Sequence, residues 1–97
     1  MPTYEWLSAF GLDLKKLTPE QRAAFDAAIV MFVVDLKAGR GFRKGLRVKK
    51  MQGHDGIWEM TFGDDWRATF EYGPEAVPGE VHVRWRRVGT HKVFTRP

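Results

Sequence analysis

Cysteine is absent from the chain. That removes disulfides, thiolate metal sites and a cysteine nucleophile together, and it fits a reducing, cytoplasmic setting. Histidine is scarce: His54, His82 and His91 are widely spaced, and no tight carboxylate pair joins them, so no metal site is expected. No apolar run approaches the roughly 20 residues that span a bilayer. The opening MPTYEW lacks the basic and apolar regions of a signal peptide, so no membrane association is expected. Walker, dinucleotide-binding and Gly-x-Ser-x-Gly patterns are missing as well, which leaves no sequence reason to expect a cofactor. At 97 residues there is too little chain for a second core, and residues 1–97 read as one domain.

What is present is positive charge, unevenly placed. The net charge is +4, yet residues 81–97 hold five basic side chains and no acidic ones, while residues 1–38 hold four basic and five acidic. A second acid-free block lies in GRGFRKGLRVKKMQGHDGIWE, residues 39–59. It delivers Arg40, Arg43, Lys44, Arg47, Lys49 and Lys50 before its first carboxylate, then a glycine-rich turn and an apolar strand opening. Clustered cations of this kind are the electrostatic footprint of a polyanion partner. Four Trp and seven Phe supply enough apolar area for a compact core without staples.

The hydrophobic period changes along the chain. Residues 4–8 read as a short strand and residues 10–17 as a short helix. Thr18-Pro19-Glu20-Gln21 is a helix start, with Thr18 as cap and Gln21 completing a capping box. From there Phe25, Ala28, Ile29, Phe32, Val33 and Leu36 form an apolar stripe at helical spacing. Val30, Met31 and Val34 widen the stripe, which predicts cover on more than one side, and Gly39 ends the helix. Residues 56–62 and 66–72 then alternate as a hairpin around Gly63-Asp64-Asp65, and residues 81–88 form a last strand. The fold class is therefore α+β: an N-terminal helical pair on a small antiparallel sheet, in β-α-α-β-β-β order.

Alternation sorts the sheet into two faces. Trp58, Met60, Phe62, Ala68, Phe70, Tyr72, Val81, Val83 and Trp85 face the helices. Glu59, Thr61, Arg67, Thr69, Glu71, His82, Arg84 and Arg86 face away. Cleaving RNA needs a base for the 2′-hydroxyl, an acid for the leaving 5′-oxygen and cations on the phosphate. Glu59, Arg67 and Arg86 share the polar face, His91 follows the last strand, and Lys49 and Lys50 enter from the basic segment. The same spacing equally describes a cross-strand Glu59–Arg67 ion pair and a solvated arginine face.

The motifs taken in order resemble the RelE/ParE superfamily of toxins from bacterial type II toxin–antitoxin modules. They are Phe10-x-x-Asp13-Leu14-Lys15-Lys16-Leu17-Thr18-Pro19-Glu20, then Leu46-Arg47-Val48-Lys49, then Gly53-His54-x-Gly56-Ile57-Trp58-Glu59-Met60. Trp66-Arg67-Ala68-Thr69-Phe70-Glu71-Tyr72 and Arg87-Val88-Gly89-Thr90-His91-Lys92-Val93-Phe94 complete them. The resemblance implies a RelE-like fold and a ribosome-dependent, metal-free mRNA endoribonuclease silenced by a cognate, helix-turn-helix antitoxin. It implies that Arg67 stabilises the scissile phosphate, that His91 and Glu59 serve as acid and base, and that Arg47, Lys49 and Lys50 grip RNA. The sheet face itself, apart from the resemblance, offers Arg84 and Arg86 either as further phosphate contacts or as a solvated strand face. Members that use a terminal tyrosine carry it where this chain has Phe94, which has no proton to give. The alternatives are a ParE-like gyrase poison without chemistry and a plain RNA-binding domain.

Overall fold

The computed structural model describes residues 2–97. Strand β1 (Thr3–Trp6) leads into α1 (Ser8–Lys16) and the long α2 (Pro19–Ala38). A 3₁₀ turn over Lys44–Leu46 and a two-residue strand β2 (Lys49–Lys50) follow, then β3 (Trp58–Phe62), β4 (Trp66–Gly73) and β5 (His82–Gly89). A second 3₁₀ turn, His91–Thr95, carries the chain back onto the sheet.

The sheet order is β1-β5-β4-β3-β2. β1 lies parallel to β5, and the remaining pairs are antiparallel. The expected all-antiparallel sheet is therefore a mixed, five-stranded one. Two intervening helices allow the first strand to return in the same direction as the last.

Helix α2 forms where its signals predict. Thr18 Oγ1 accepts from the Gln21 amide at 3.1 Å, and the Gln21 side chain accepts from the Thr18 amide at 2.9 Å. Gly39 closes the helix at φ 69°, a conformation that glycine adopts without the clash of a Cβ. Phe25, Ala28 and Phe32 are buried against the sheet, and Ile29, Val33 and Leu36 are half-buried. Val30 and Val34 are 65% and 54% exposed, so the helix is covered on one side only, against expectation.

The core is an aromatic cluster centred on Trp85. Its ring lies 5.1 Å from Phe32, 5.2 Å from Phe70, 5.8 Å from Phe25 and 6.1 Å from Phe10. Tilted and edge-on pairs at these separations add about 0.5–1.5 kcal/mol each beyond the area they bury. Val81, expected among them, precedes β5 and is 40% exposed. Val88 takes an inward place instead, because β5 carries a bulge: Thr69 pairs with Arg87 and Phe70 with Trp85, which leaves Arg86 as the extra residue.

The basic segment is pinned to α2 at its start. Asp35 accepts from the Arg43 amide and Nε at 2.9 Å each, and from Nη2 at 2.9 Å. The Arg43 side-chain hydrogen bonds, then the amide bond, hold the Asp35 carboxyl well below its usual range, at about 2. A depressed carboxyl stabilises above its unfolded pKa and loses that contribution as pH falls through the folded one. The Asp35 carboxyl, followed by NMR, should accordingly titrate near pH 2, with the clamp intact at pH 4 and above and released below about pH 2. Asp35→Asn should speed amide exchange over residues 40–48 at neutral pH; unchanged exchange there would remove the clamp from the account.

Candidate active site

The polar face of the sheet is not bare. Residues 91–97 fold over it, and the Pro97 carbonyl accepts from Thr69 Oγ1 and Arg86 Nε, both at 3.1 Å. Thr69 is fully buried as a result, and Glu59 and Thr61 are only 8% and 7% exposed.

Arg67 lies opposite Thr61 on the hairpin, and Glu59 lies opposite Thr69. The two are diagonal neighbours on one face, about 7–8 Å apart by sheet geometry, and do not form the cross-strand pair that spacing suggested. Lys49 Nζ stands 3.8 Å from the Glu59 carboxylate, through the β2–β3 register. Arg67 turns the other way. Its Nη2 meets Asp65 Oδ1 at 3.0 Å, its Nη1 donates to the Trp66 carbonyl at 3.3 Å, and its guanidinium sits 5.9 Å from the Phe94 ring centroid. Its Nε is buried and donates to no protein acceptor. A buried donor without a protein acceptor costs about 1–3 kcal/mol.

Asp65 is the residue that the sequence reading missed. Its other oxygen lies 4.0 Å from His91 Nδ1, so one carboxylate in the β3–β4 turn faces both the guanidinium and the imidazole. That distance is an ion-pair separation rather than a hydrogen bond. With Asp65 and His91 both more than two-thirds exposed, the pairing adds little to stability. Along the hairpin the order is Glu59, Arg67, then Asp65 with His91: a cation flanked by a buried carboxylate and an exposed imidazole. A sequence signal for Asp65 did exist, because a three-residue turn must return its last residue beside the first residues of β4.

Arg84 and Arg86, expected to reach phosphate, are engaged internally. Arg84 Nε donates to Glu5 at 2.7 Å and Nη1 stands 3.8 Å from Glu71, while Arg86 pairs closely with Glu71. The Arg84 hydrogen bond, followed by that of His82, holds the Glu5 carboxyl below its usual range. Arg47, Lys49 and Lys50 remain at the surface, with Lys50 Nζ 5.6 Å from the Trp58 ring centroid. Arg47 holds φ 48°, the one positive value at a non-glycine among the described residues. Among the described residues no three His, Asp or Glu side chains converge as a metal site needs. No helix there is long and apolar enough to cross a membrane.

A second feature lies on the helix side. An apolar cavity of about 230 Å³ opens between α2 and β1, lined in part by Trp6, Phe10, Ile29, Val33 and Leu36. The exposed Tyr4 stands on its rim, 66% accessible.

Two helices on one face of this mixed sheet, with residues 91–97 folded across the other, make up a RelE-like fold. Among solved structures it is similar to a point mutant of YafQ from E. coli, with a TM-score of 0.67 and 13% identity over 97% of this chain and 98% of that one. YafQ in the E. coli DinJ–YafQ toxin–antitoxin complex matches at TM-score 0.67 and 15% identity, over 95% of this chain and 94% of that one. A copper-bound mutant toxin from Helicobacter pylori matches at 0.65 and 12%, over 95% and 97% of the two chains. At such identities the likeness is one of fold. No family model and no curated protein matches the chain.

The turn that carries Asp65 has little tolerance. Gly63 sits at φ 59°, and a Cβ there would fall 2.3 Å from the Trp66 ring. Gly63→Ala should cost more than about 1 kcal/mol, a Tm drop of at least about 4 °C in a domain of this size. It should also break the Asp65–Arg67 contact in a crystal structure of the variant. A wild-type Tm would show that the turn relaxes freely.

Proposed function

We propose that this chain is a toxin-type, ribosome-dependent mRNA endoribonuclease neutralised by a cognate antitoxin. The observation that carries the reading is the Arg67–Asp65–His91 cluster with Glu59 on its far side. A phosphate seated on Arg67 would have a base on one flank and an acid on the other, the arrangement that in-line cleavage requires. Glu59 takes the proton of the 2′-hydroxyl, whose oxygen bonds to phosphorus. The bond from phosphorus to the 5′-oxygen breaks, and His91 Nε2 protonates that oxygen while Asp65 faces Nδ1. A 2′,3′-cyclic phosphate and a 5′-hydroxyl result.

Arg67 stabilises the charge that builds on the phosphoryl oxygens. Phe94 takes no part in proton transfer; it backs the guanidinium from below. Arg47, Lys49 and Lys50 hold the RNA backbone. Arg84 and Arg86, both ion-paired within the sheet, brace the face rather than grip phosphate. The apolar cavity between α2 and β1 suits an antitoxin segment, and YafQ is known in complex with DinJ as a toxin–antitoxin pair.

Programmed ribosomes with end-labelled mRNA provide the test. Arg67→Ala should abolish cleavage and Arg67→Lys should recover little, since an ammonium cannot meet two phosphate oxygens at once. His91→Ala and Glu59→Ala should each slow single-turnover cleavage by roughly 10²- to 10⁴-fold with Tm nearly unchanged for His91→Ala. Wild-type rates in both variants would reject the acid and base assignments, and prompt DNA damage with intact mRNA on induction would favour the gyrase reading. RNA affinity should fall steeply with salt. Arg47→Gly should reduce that affinity without lowering Tm, because φ 48° suits glycine.

A further inference from the structure

Arg87 joins three elements that are otherwise far apart in the chain. Its Nε and Nη2 donate to Oδ2 and Oδ1 of Asp13 on α1 at 2.5 and 3.1 Å. Its Nη1 donates to the carbonyl of Arg96 at 3.0 Å, just past the turn that bears His91 and Phe94. The two paired side chains are largely sheltered, at 28% and 12% exposure, and the Asp13 carboxylate, chiefly through its hydrogen bond, raises the Arg87 pKa.

The arrangement follows from where β1 stops. Trp6 pairs with Trp85, Leu7 donates to the Trp85 carbonyl, and the chain then turns into α1. Beyond Trp85, β5 has no strand on that side. Asp13 supplies the missing acceptor, taking the Val88 amide at 3.1 Å. α1 thus serves as the edge of β5 for its last residues, and one carboxylate both caps the strand and aims the guanidinium.

We infer that Arg87, set by Asp13, is a positioning residue for the catalytic turn. It does not reach the place of the phosphate. It braces the end of the segment that presents His91 to Asp65 and Phe94 to Arg67, with Val93 (5% exposed) anchoring the middle. Only a guanidinium can do this, because the bidentate bond to Asp13 leaves a further N–H directed at Arg96. Lysine at this position keeps a charge beside Asp13 and loses the geometry. The catalytic consequence rests on the nuclease reading above; the bracing does not.

Arg87→Lys and Asp13→Asn test this by residue-resolved amide exchange and by cleavage on programmed ribosomes. The Val93 amide, which donates to the Thr90 carbonyl at 3.1 Å, should exchange about tenfold faster in both variants, with α2 and the β3–β4 hairpin unchanged. kcat should fall by about tenfold or more with KM within about twofold, since ground-state RNA contacts lie elsewhere. Wild-type exchange across residues 90–97 overturns the proposal. So does faster exchange throughout the domain in both variants, which would make the pair a general stabiliser, or local loosening with an unchanged kcat. If the wild-type chain cuts no RNA, the nuclease reading fails while the exchange result still decides whether Arg87 braces the turn.

Discussion

The arrangement of the polar face depends on one extra residue in β5. Without the bulge at Arg86, strict alternation would carry Arg87 toward the helices and Val88 away from them, since a one-residue slip exchanges the two faces of a strand. With it, Trp85 and Val88 both lie in the core, at 5% and 2% exposure, while Arg84, Arg86 and Arg87 serve the opposite side. Arg86 and Arg87 then hold the carbonyls of Pro97 and Arg96. The tail, the placement of His91 and the burial of Thr69 all follow from that irregularity. A bulge beside a functional face re-aims side chains that regular pairing could not place together.

The charge pattern takes a different meaning in three dimensions. As a string, the last 17 residues are a cationic block without an acid. Folded, that block is largely neutralised from afar: Glu5, Asp13 and Glu71 come from β1, α1 and β4. The acidic front of the chain is the counter-charge of its basic back. Arg40, Lys44, Arg47 and Lys50 keep their charge toward solvent, so the field presented to a polyanion is concentrated on the loop after α2 rather than spread over the sheet.

Much of the fold was legible because its signals are local. The capping box at Thr18, the left-handed Gly39, the hairpin turn at 63–65 and the alternation of β3 and β4 each depend on residues within a few positions of one another. The parallel return of β1 was not legible, since nothing in Thr3–Trp6 states which strand it will meet. The outward position of Val30 and Val34 was missed for a related reason: an apolar stripe records a preference for cover and not what supplies it. At the site, alternation correctly put Glu59 and Arg67 on one face. It could not give the two-residue offset that separates them or bring Asp65 to His91, because both depend on register and on a tail that folds back over the sheet.

The parallel pairing of β1 with β5 also bears on when the domain comes into being. Thr3 and His82 meet across 79 positions of chain, and β5 stands between β1 and β4 in the sheet. During synthesis the hairpin and the helices can form early, but Trp85, the hub of the core, is the last of the core aromatics to be made, so closure waits on contacts of high sequence separation. Arg86 and Arg87 arrive with it, and the turn bearing His91 follows later still. A nascent chain therefore has no assembled polar face until β5 and the turn after it have both been made.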